Sequence, residues 1–167
     1  GDLNGDGIDD LIISASKSDP VSFDEGQIYV IFGTTSGLTD PFELSDLDGS
    51  NGFIVNGVSS VDRIGGSLNA AGDFNNDGIA DLVFGGSSAN SNQGKAYVVF
   101  GSTTAFASSI NTTSLDGTNG FSVITGLGSR ADLGTSVDAA GDVNGDGIDD
   151  VIFGATGVNN YAGRSYV

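Results

Sequence analysis

Short apolar runs, four to six residues long and rich in β-branched side chains, recur along the chain, each bounded by Gly, Ser, Asn or Asp. Asp10–Ala15 (DLIISA), Gln27–Phe32 (QIYVIF), Gly52–Val55 (GFIV) and Ser67–Ala71 (SLNAA) are the first four. None carries the i, i+3, i+4 spacing of an amphipathic helix, and no helix of convincing length is expected. The Ser-Asn-Gly ahead of Gly52–Val55 supplies residues that tolerate positive φ, as a tight turn needs. The pattern predicts an all-β chain of short strands.

The pattern also repeats. Asp2-Leu-Asn-Gly-Asp-Gly-Ile-Asp-Asp10, Asp73-Phe-Asn-Asn-Asp-Gly-Ile-Ala-Asp81 and Asp142-Val-Asn-Gly-Asp-Gly-Ile-Asp-Asp150 align, their starts 71 and 69 residues apart. QIYVIFG (27–33) matches KAYVVFG (95–101), LDGSNGF (47–53) matches LDGTNGF (115–121), and IGGSLNAAG (64–72) matches LGTSVDAAG (133–141). Counted from loop to loop, the units are 1–71, 72–140 and a partial 141–167. Four strands per unit at this period fit a β-propeller blade of four antiparallel strands, because such a small sheet must cover its faces with its neighbours. A sandwich or a solenoid is the alternative, but solenoid coils have shorter periods. Two and a fraction blades do not close a ring, so a fragment or a self-assembling protomer is expected, with one edge or inter-blade face open to other blades of a parent chain or to another copy.

The recurrent aspartate loops have the chemistry of a calcium site. Ca²⁺ takes six to eight oxygen ligands from carboxylates, amide and backbone carbonyls and water. In the first loop the donors are Asp2, Asn4, Asp6, the Ile8 carbonyl and Asp10; in the second Asp73, Asn75, Asp77, the Ile79 carbonyl and Asp81; in the third Asp142, Asn144, Asp146, the Ile148 carbonyl and Asp150. Three calcium ions are therefore expected. The loop opens like an EF-hand, yet position twelve is Ile13, Phe84 or Phe153 where that motif needs a bidentate acid, and a strand follows instead of a helix. Mg²⁺ fits less well, since it keeps a small octahedral shell with several waters. Read as Asx-rich turns alone, the loops would crowd three carboxylates with no counter-charge. Asp9 and Asp149 are expected to face solvent, since the middle loop has Ala80 at that position.

Composition sharpens this picture by exclusion. Five basic residues against 22 acidic ones give a net charge of −17, which repels nucleic acid and favours cations. Without His or Cys, the chain has no Ser-His-Asp or Cys-His catalysis and no thiolate or imidazole metal site. No run approaches the ~20 apolar residues of a membrane-spanning helix.

These motifs resemble the FG-GAP repeats of integrin α-chain β-propellers and related bacterial surface proteins. The Phe-Gly element stands here as Ile64-Gly65 and Leu133-Gly134, and the Gly-Ala-Pro element as Ser14-Ala15-Ser16, Gly85-Gly86-Ser87 and Gly154-Ala155-Thr156. No copy spells the namesake tripeptide, but the loops match at every ligand position. The resemblance implies a seven-bladed propeller whose calcium loop joins the first two strands of a blade. It also implies structural rather than catalytic calcium and an extracellular or cell-surface setting, here of bacterial type.

The expected function is a non-catalytic, calcium-stabilised module for adhesion or recognition of a protein or glycan. A propeller domain of a secreted lyase or hydrolase, or a spacer in a large surface protein, is the alternative. Tyr29, Tyr97 and Tyr166 share one place in the repeat and are expected to pack the blades, and Arg63 and Arg130 to pair with Asp62 or Asp132 or to cap loop carbonyls. The loops Lys17–Glu25 and Ser88–Gln93 differ between units and are the expected seat of specificity.

Overall fold

The computed structural model describes residues 1–126 and 130–167. Among the described residues, eleven strands form three sheets. The first sheet holds β1 (Leu11–Ala15), β2 (Gln27–Ile31), β3 (Gly52–Asn56) and, at its outer edge, β7 (Ser109–Asn111). The second is β4 (Ser67–Gly72), β5 (Asp81–Gly86), β6 (Lys95–Val99) and β8 (Gly120–Val123), in that order. The third comprises β9 (Leu133–Gly141), β10 (Asp150–Ala155) and β11 (Arg164–Tyr166). All pairings are antiparallel except β3 with β7. Strands predicted from the apolar runs form within one residue of their predicted ends. The architecture is that of consecutive propeller blades, as expected.

The sheets are out of phase with the loop-to-loop count. Ser67–Gly72, the last strand of the first unit, pairs with β5 across the second aspartate loop and so belongs to the second sheet. The loop therefore lies inside a hairpin, and each blade begins with the strand ahead of its loop.

Alternation along a strand decides which interface each side chain fills, because successive residues face opposite sides of the sheet. β5 is buried at all six positions. Its Leu82 and Phe84 join Ile28, Val30, Phe53 and Val55 of the first sheet, together with Leu3 and Ile64, in one core. Val83 faces the other way, with Ala96 and Val98, against Val137, Val151 and Phe153 of the third sheet. The second sheet is thus covered on both faces. Fully burying one such Leu, Val or Phe side chain contributes roughly 1.5–3 kcal/mol.

The Phe-Gly and Gly-Ala-Pro counterparts lie where neighbouring sheets come closest. A Cβ on Gly85 would collide with the Gly134 carbonyl of the next sheet, and one on Gly65 would meet the Ser14 Oγ of the preceding sheet at 2.5 Å. Ser14 Oγ donates to Gly65 O at 2.6 Å, and Ser67 Oγ to Gly134 O at 2.9 Å. Gly65 and Gly134 have φ of +78° and +81°, so a side chain at either would be strained as well as obstructed.

Two local expectations need correction. Arg63 pairs not with Asp62 but with Asp24, its Nη2 2.6 Å and its Nε 2.9 Å from Asp24 Oδ2, which ties the loop before Ile64 to the long loop after β1. The three tyrosines do not play one part. Tyr97 is buried and stacked on Phe84 at 5.1 Å, whereas Tyr29 is half-buried and donates to Gln27 Oε1.

Candidate metal centre

Each aspartate loop is folded by its own side chains. In the first, Asp6 N–H is shared between Asp2 Oδ1 (3.1 Å) and Asn4 Oδ1 (3.0 Å), Gly7 N–H donates to Asp2 Oδ2 (2.8 Å), and Ile8 N–H to Asp6 Oδ1 (2.9 Å). Asn4 Nδ2 donates to Asp6 Oδ2 at 3.0 Å. Two oxygens that accept from one N–H lie side by side, so this set brings the oxygens of positions one and three together, while the Asn4 amide N–H holds the position-five carboxylate next to them in the loop. Asx side chains that capture the amide two residues on are the local reason the D-x-N-x-D-G sequence turns here. Gly7, Gly78 and Gly147, at φ near +90°, make the reversal that follows.

The second loop repeats the arrangement: Asp77 N–H bridges Asp73 Oδ1 and Asn75 Oδ1, Gly78 N–H donates to Asp73 Oδ2, and Ile79 N–H to Asp77 Oδ1. So does the third, where Asp146 N–H bridges Asp142 Oδ1 and Asn144 Oδ1, with Gly147 N–H on Asp142 Oδ2 and Ile148 N–H on Asp146 Oδ1. Amide donors, the Gly147 N–H first, hold the Asp142 carboxyl below the usual carboxylate range.

The ninth residue ties the first and second loops to their blades. Asp10 Oδ2 accepts from Leu3 N–H at 2.8 Å and its Oδ1 from Gly33 N–H at 2.9 Å; Asp81 accepts likewise from Phe74 and Gly101, both at 2.9 Å. Gly33 and Gly101 end the QIYVIFG and KAYVVFG runs. A Cβ on either would strike the carbonyl of Asp9 or Ala80 and come within 2.6 Å of the Ile8 or Ile79 side chain. The repeat of the glycines was visible in the sequence, but their role as donors to the closing carboxylates was not. The isoleucines are half-buried, in keeping with a carbonyl left to the loop while the side chain packs.

Asp81 is fully buried, and burial lifts its carboxyl to about 6 despite the two amide donors. Burial lifts Asp10 in the same direction. Among the described residues the ion pairs are Gly1 N-terminus with Asp9 and Arg63 with Asp24, so no basic side chain compensates either carboxylate. Nor do three or more Asp, Glu, His or Cys side chains converge there as a ready cage. The donor set of each loop instead combines carboxylates with an Asn amide and a backbone carbonyl. It is all oxygen, anionic and short of counter-charge, which fits a hard divalent cation.

Asp9 and Asp149 part company. Asp9 is 90% exposed, as expected. Asp149 is half-buried, and its Oδ2 accepts from Asp73 N–H at 3.1 Å, clasping the third loop to the first residue of the second. At the matching place Ala80 N–H donates to Asp2 O at 3.2 Å. Adjacent loops therefore touch, position eight of one against position one of the preceding one.

The FG-GAP repeat matches residues 1–31, 65–99 and 133–167, more than half the chain and in phase with the sheets. The chain belongs to the FG-GAP repeat family. Among its relatives, phosphatidylinositol-glycan-specific phospholipase D of Homo sapiens is 38% identical over 160 residues, covering 92% of this chain and 17% of that protein. The Rattus norvegicus enzyme of the same name is 41% identical over 106 residues, 60% of this chain and 12% of its own length. Integrin alpha-4 of Xenopus laevis is 29% identical over 154 residues, 92% of this chain and 13% of that one. The FG-GAP chain thus spans less than a fifth of the relatives it matches. These relatives are animal proteins, and nothing in them supports the bacterial type expected from the sequence. No helix among its described residues is long and apolar enough to cross a membrane.

Proposed function

We propose that this chain is a non-catalytic, extracellular propeller module whose blades are stiffened by three calcium ions and whose role is adhesion or recognition of a protein or glycan. The observation that carries the calcium assignment is the buried, uncompensated Asp81 beside a loop in which the Asp73 and Asn75 oxygens already share the Asp77 N–H. Asp73, Asn75, Asp77, the Ile79 carbonyl and Asp81 would hold the ion in the second loop. Asp2, Asn4, Asp6, Ile8 and Asp10 would do so in the first, and Asp142, Asn144, Asp146, Ile148 and Asp150 in the third. A bound divalent cation supplies positive charge and fixed coordination there; the chain's own residues orient the hairpin between the first two strands of each blade. The extracellular setting rests on family membership and on the integrin alpha relatives. Calorimetric titration of calcium into chelator-treated protein tests this reading. Three sites are expected, and a chain that takes up no calcium at millimolar concentration contradicts it.

The second reading, a propeller attached to a secreted enzyme, is favoured by the phospholipase D relatives. On either reading this segment contributes no catalytic group. Assay of the 167-residue chain against phosphatidylinositol-glycan substrates is expected to give no hydrolysis, and turnover would overturn the non-catalytic assignment.

A further inference from the structure

One residue belongs to two loops. Asp149 stands in the third loop between Ile148, whose carbonyl is a proposed donor, and Asp150, the closing carboxylate. Its side chain, however, reaches the second loop. Oδ2 accepts from the N–H of Asp73, the first donor there, at 3.1 Å. The carboxylate lies over Gly72, where an added Cβ would collide with Oδ2 and stand 2.7 Å from Cγ. Gly72 has φ of +70°, so glycine serves both the turn and the close approach.

The strands ahead of the two loops brace this contact. β4 packs against β9, with Asn69 Nδ2 donating to Asp138 Oδ1 and Ser67 Oγ to Gly134 O at 2.9 Å. The bases of the second and third loops are thereby held next to each other. The first and second loops meet differently. Ala80 takes the place of Asp149, and the contact is its N–H on Asp2 O at 3.2 Å. Alanine has no side-chain oxygen to take up the Asp2 N–H.

We propose that the Asp149 clasp couples calcium binding at the second and third loops, so that filling either raises the affinity of the other. The inference rests on the calcium reading above. An empty loop leaves its carboxylates facing one another without counter-charge, and filling it orders the residues that ligate. In the third loop these include both chain neighbours of Asp149. Once its backbone is fixed, its carboxylate stays on the Asp73 amide, and part of the order that the second loop requires is already in place. Linkage makes the effect reciprocal, by one factor in both directions. Repulsion between the two cations acts the other way, but it does not need the clasp and remains when the clasp is removed.

A double-mutant cycle read by site-resolved NMR titration tests this, with the Gly78 and Gly147 amides reporting the second and third loops. Hydrogen exchange of the Asp73 N–H reports the clasp itself. Asp146→Ala disables the third loop. In the wild-type background it should weaken calcium binding at the second loop about fivefold and speed exchange of the Asp73 amide. In the Asp149→Ala background it should change the second loop's affinity far less. Asp149→Asn keeps an acceptor oxygen and drops the charge, so it should retain most of the coupling, and circular dichroism checks that each variant folds. A second loop that ignores Asp146→Ala, or that weakens equally with and without Asp149, overturns the proposal. So does an Asp149→Asn chain that behaves like Asp149→Ala. Three sites filled with independent affinities would leave the calcium reading standing, whereas a chain that takes up no calcium overturns both.

Discussion

The second and third aspartate loops have the same ligand pattern and nearly the same internal hydrogen bonds, yet their closing carboxylates live in different surroundings. Asp81 is fully buried, with both oxygens held by amides, one of them from Gly101 at the end of the third strand. Asp150 is half-exposed; its Oδ2 accepts from Val143 N–H at 2.9 Å, but its Oδ1 has only a long 3.4 Å contact from Asn144 Nδ2, because the 167 residues stop at Val167, short of the place that Gly101 holds in the second sheet. Pairing the oxygens of positions one and three on one N–H is local work that the loop does alone. Burying the ninth, and so giving it a need for a cation, is done by the strands packed around it.

Substitution of the closing residue should break this symmetry most. Asp81→Ala should abolish calcium binding at the second loop and forfeit the stabilisation of a saturated site, about 2.7 kcal/mol at a hundred times Kd. Asp150→Ala should lose less. Asp81→Asn sharpens the contrast through a change of sign. Without calcium it should be at least as stable as wild type, because a buried uncompensated charge is gone, and with calcium it should melt lower. Paired melting curves check both.

Next in size is Gly101→Ala. The new methyl would collide with the Ala80 carbonyl and press on Ile79, at an expected cost of about 1–3 kcal/mol in chemical denaturation. A neutral result would mean that the loop and the third strand do not meet as closely as described.

The pH dependence separates the loops at lower cost. Asp81 titrates near 6 in the metal-free fold, above its ordinary 3.8, because burial disfavours the charged form. Metal-free stability should therefore fall as pH rises through this window. Calcium needs the ionised carboxylate, so its affinity for the second site should drop about tenfold from pH 7 to pH 5. The third site should change less, and site-resolved titration monitored by NMR reads the difference.

The smallest contrast is between Asp149 and Asp9. Asp149→Ala removes the clasp on Asp73 N–H and should cost about 1 kcal/mol. Asp9→Ala should leave the melting temperature unchanged, as its side chain is exposed.

What the sequence revealed divides along the same line as the two loops. Apolar, β-branched runs bounded by Gly, Ser, Asn or Asp exposed β1 to β4 and their ends, and the repeat extended them to β6. Ligand spacing exposed the loops, since Asx side chains act on amides two to five residues away. Non-local facts were silent. β7 has three residues, too few to alternate, and pairs with a strand more than fifty residues earlier. Asp24, the partner of Arg63, lies 39 residues away, with Asp62 a nearer candidate in the chain. The repeat alone left the phase of the sheets open because it can be cut at any point; the family resemblance put the loop between a blade's first two strands, and the hydrogen bonds cut the repeat ahead of Ser67 accordingly.

Thermal unfolding of the wild-type chain with saturating calcium and then with chelator tests the central claim most directly. If calcium neutralises the uncompensated carboxylates and binds only the folded blades, chelation should lower Tm by several degrees or more, and readdition of calcium should restore it. An unchanged Tm would contradict the account, because the loops would then be turns that hold themselves together without a metal.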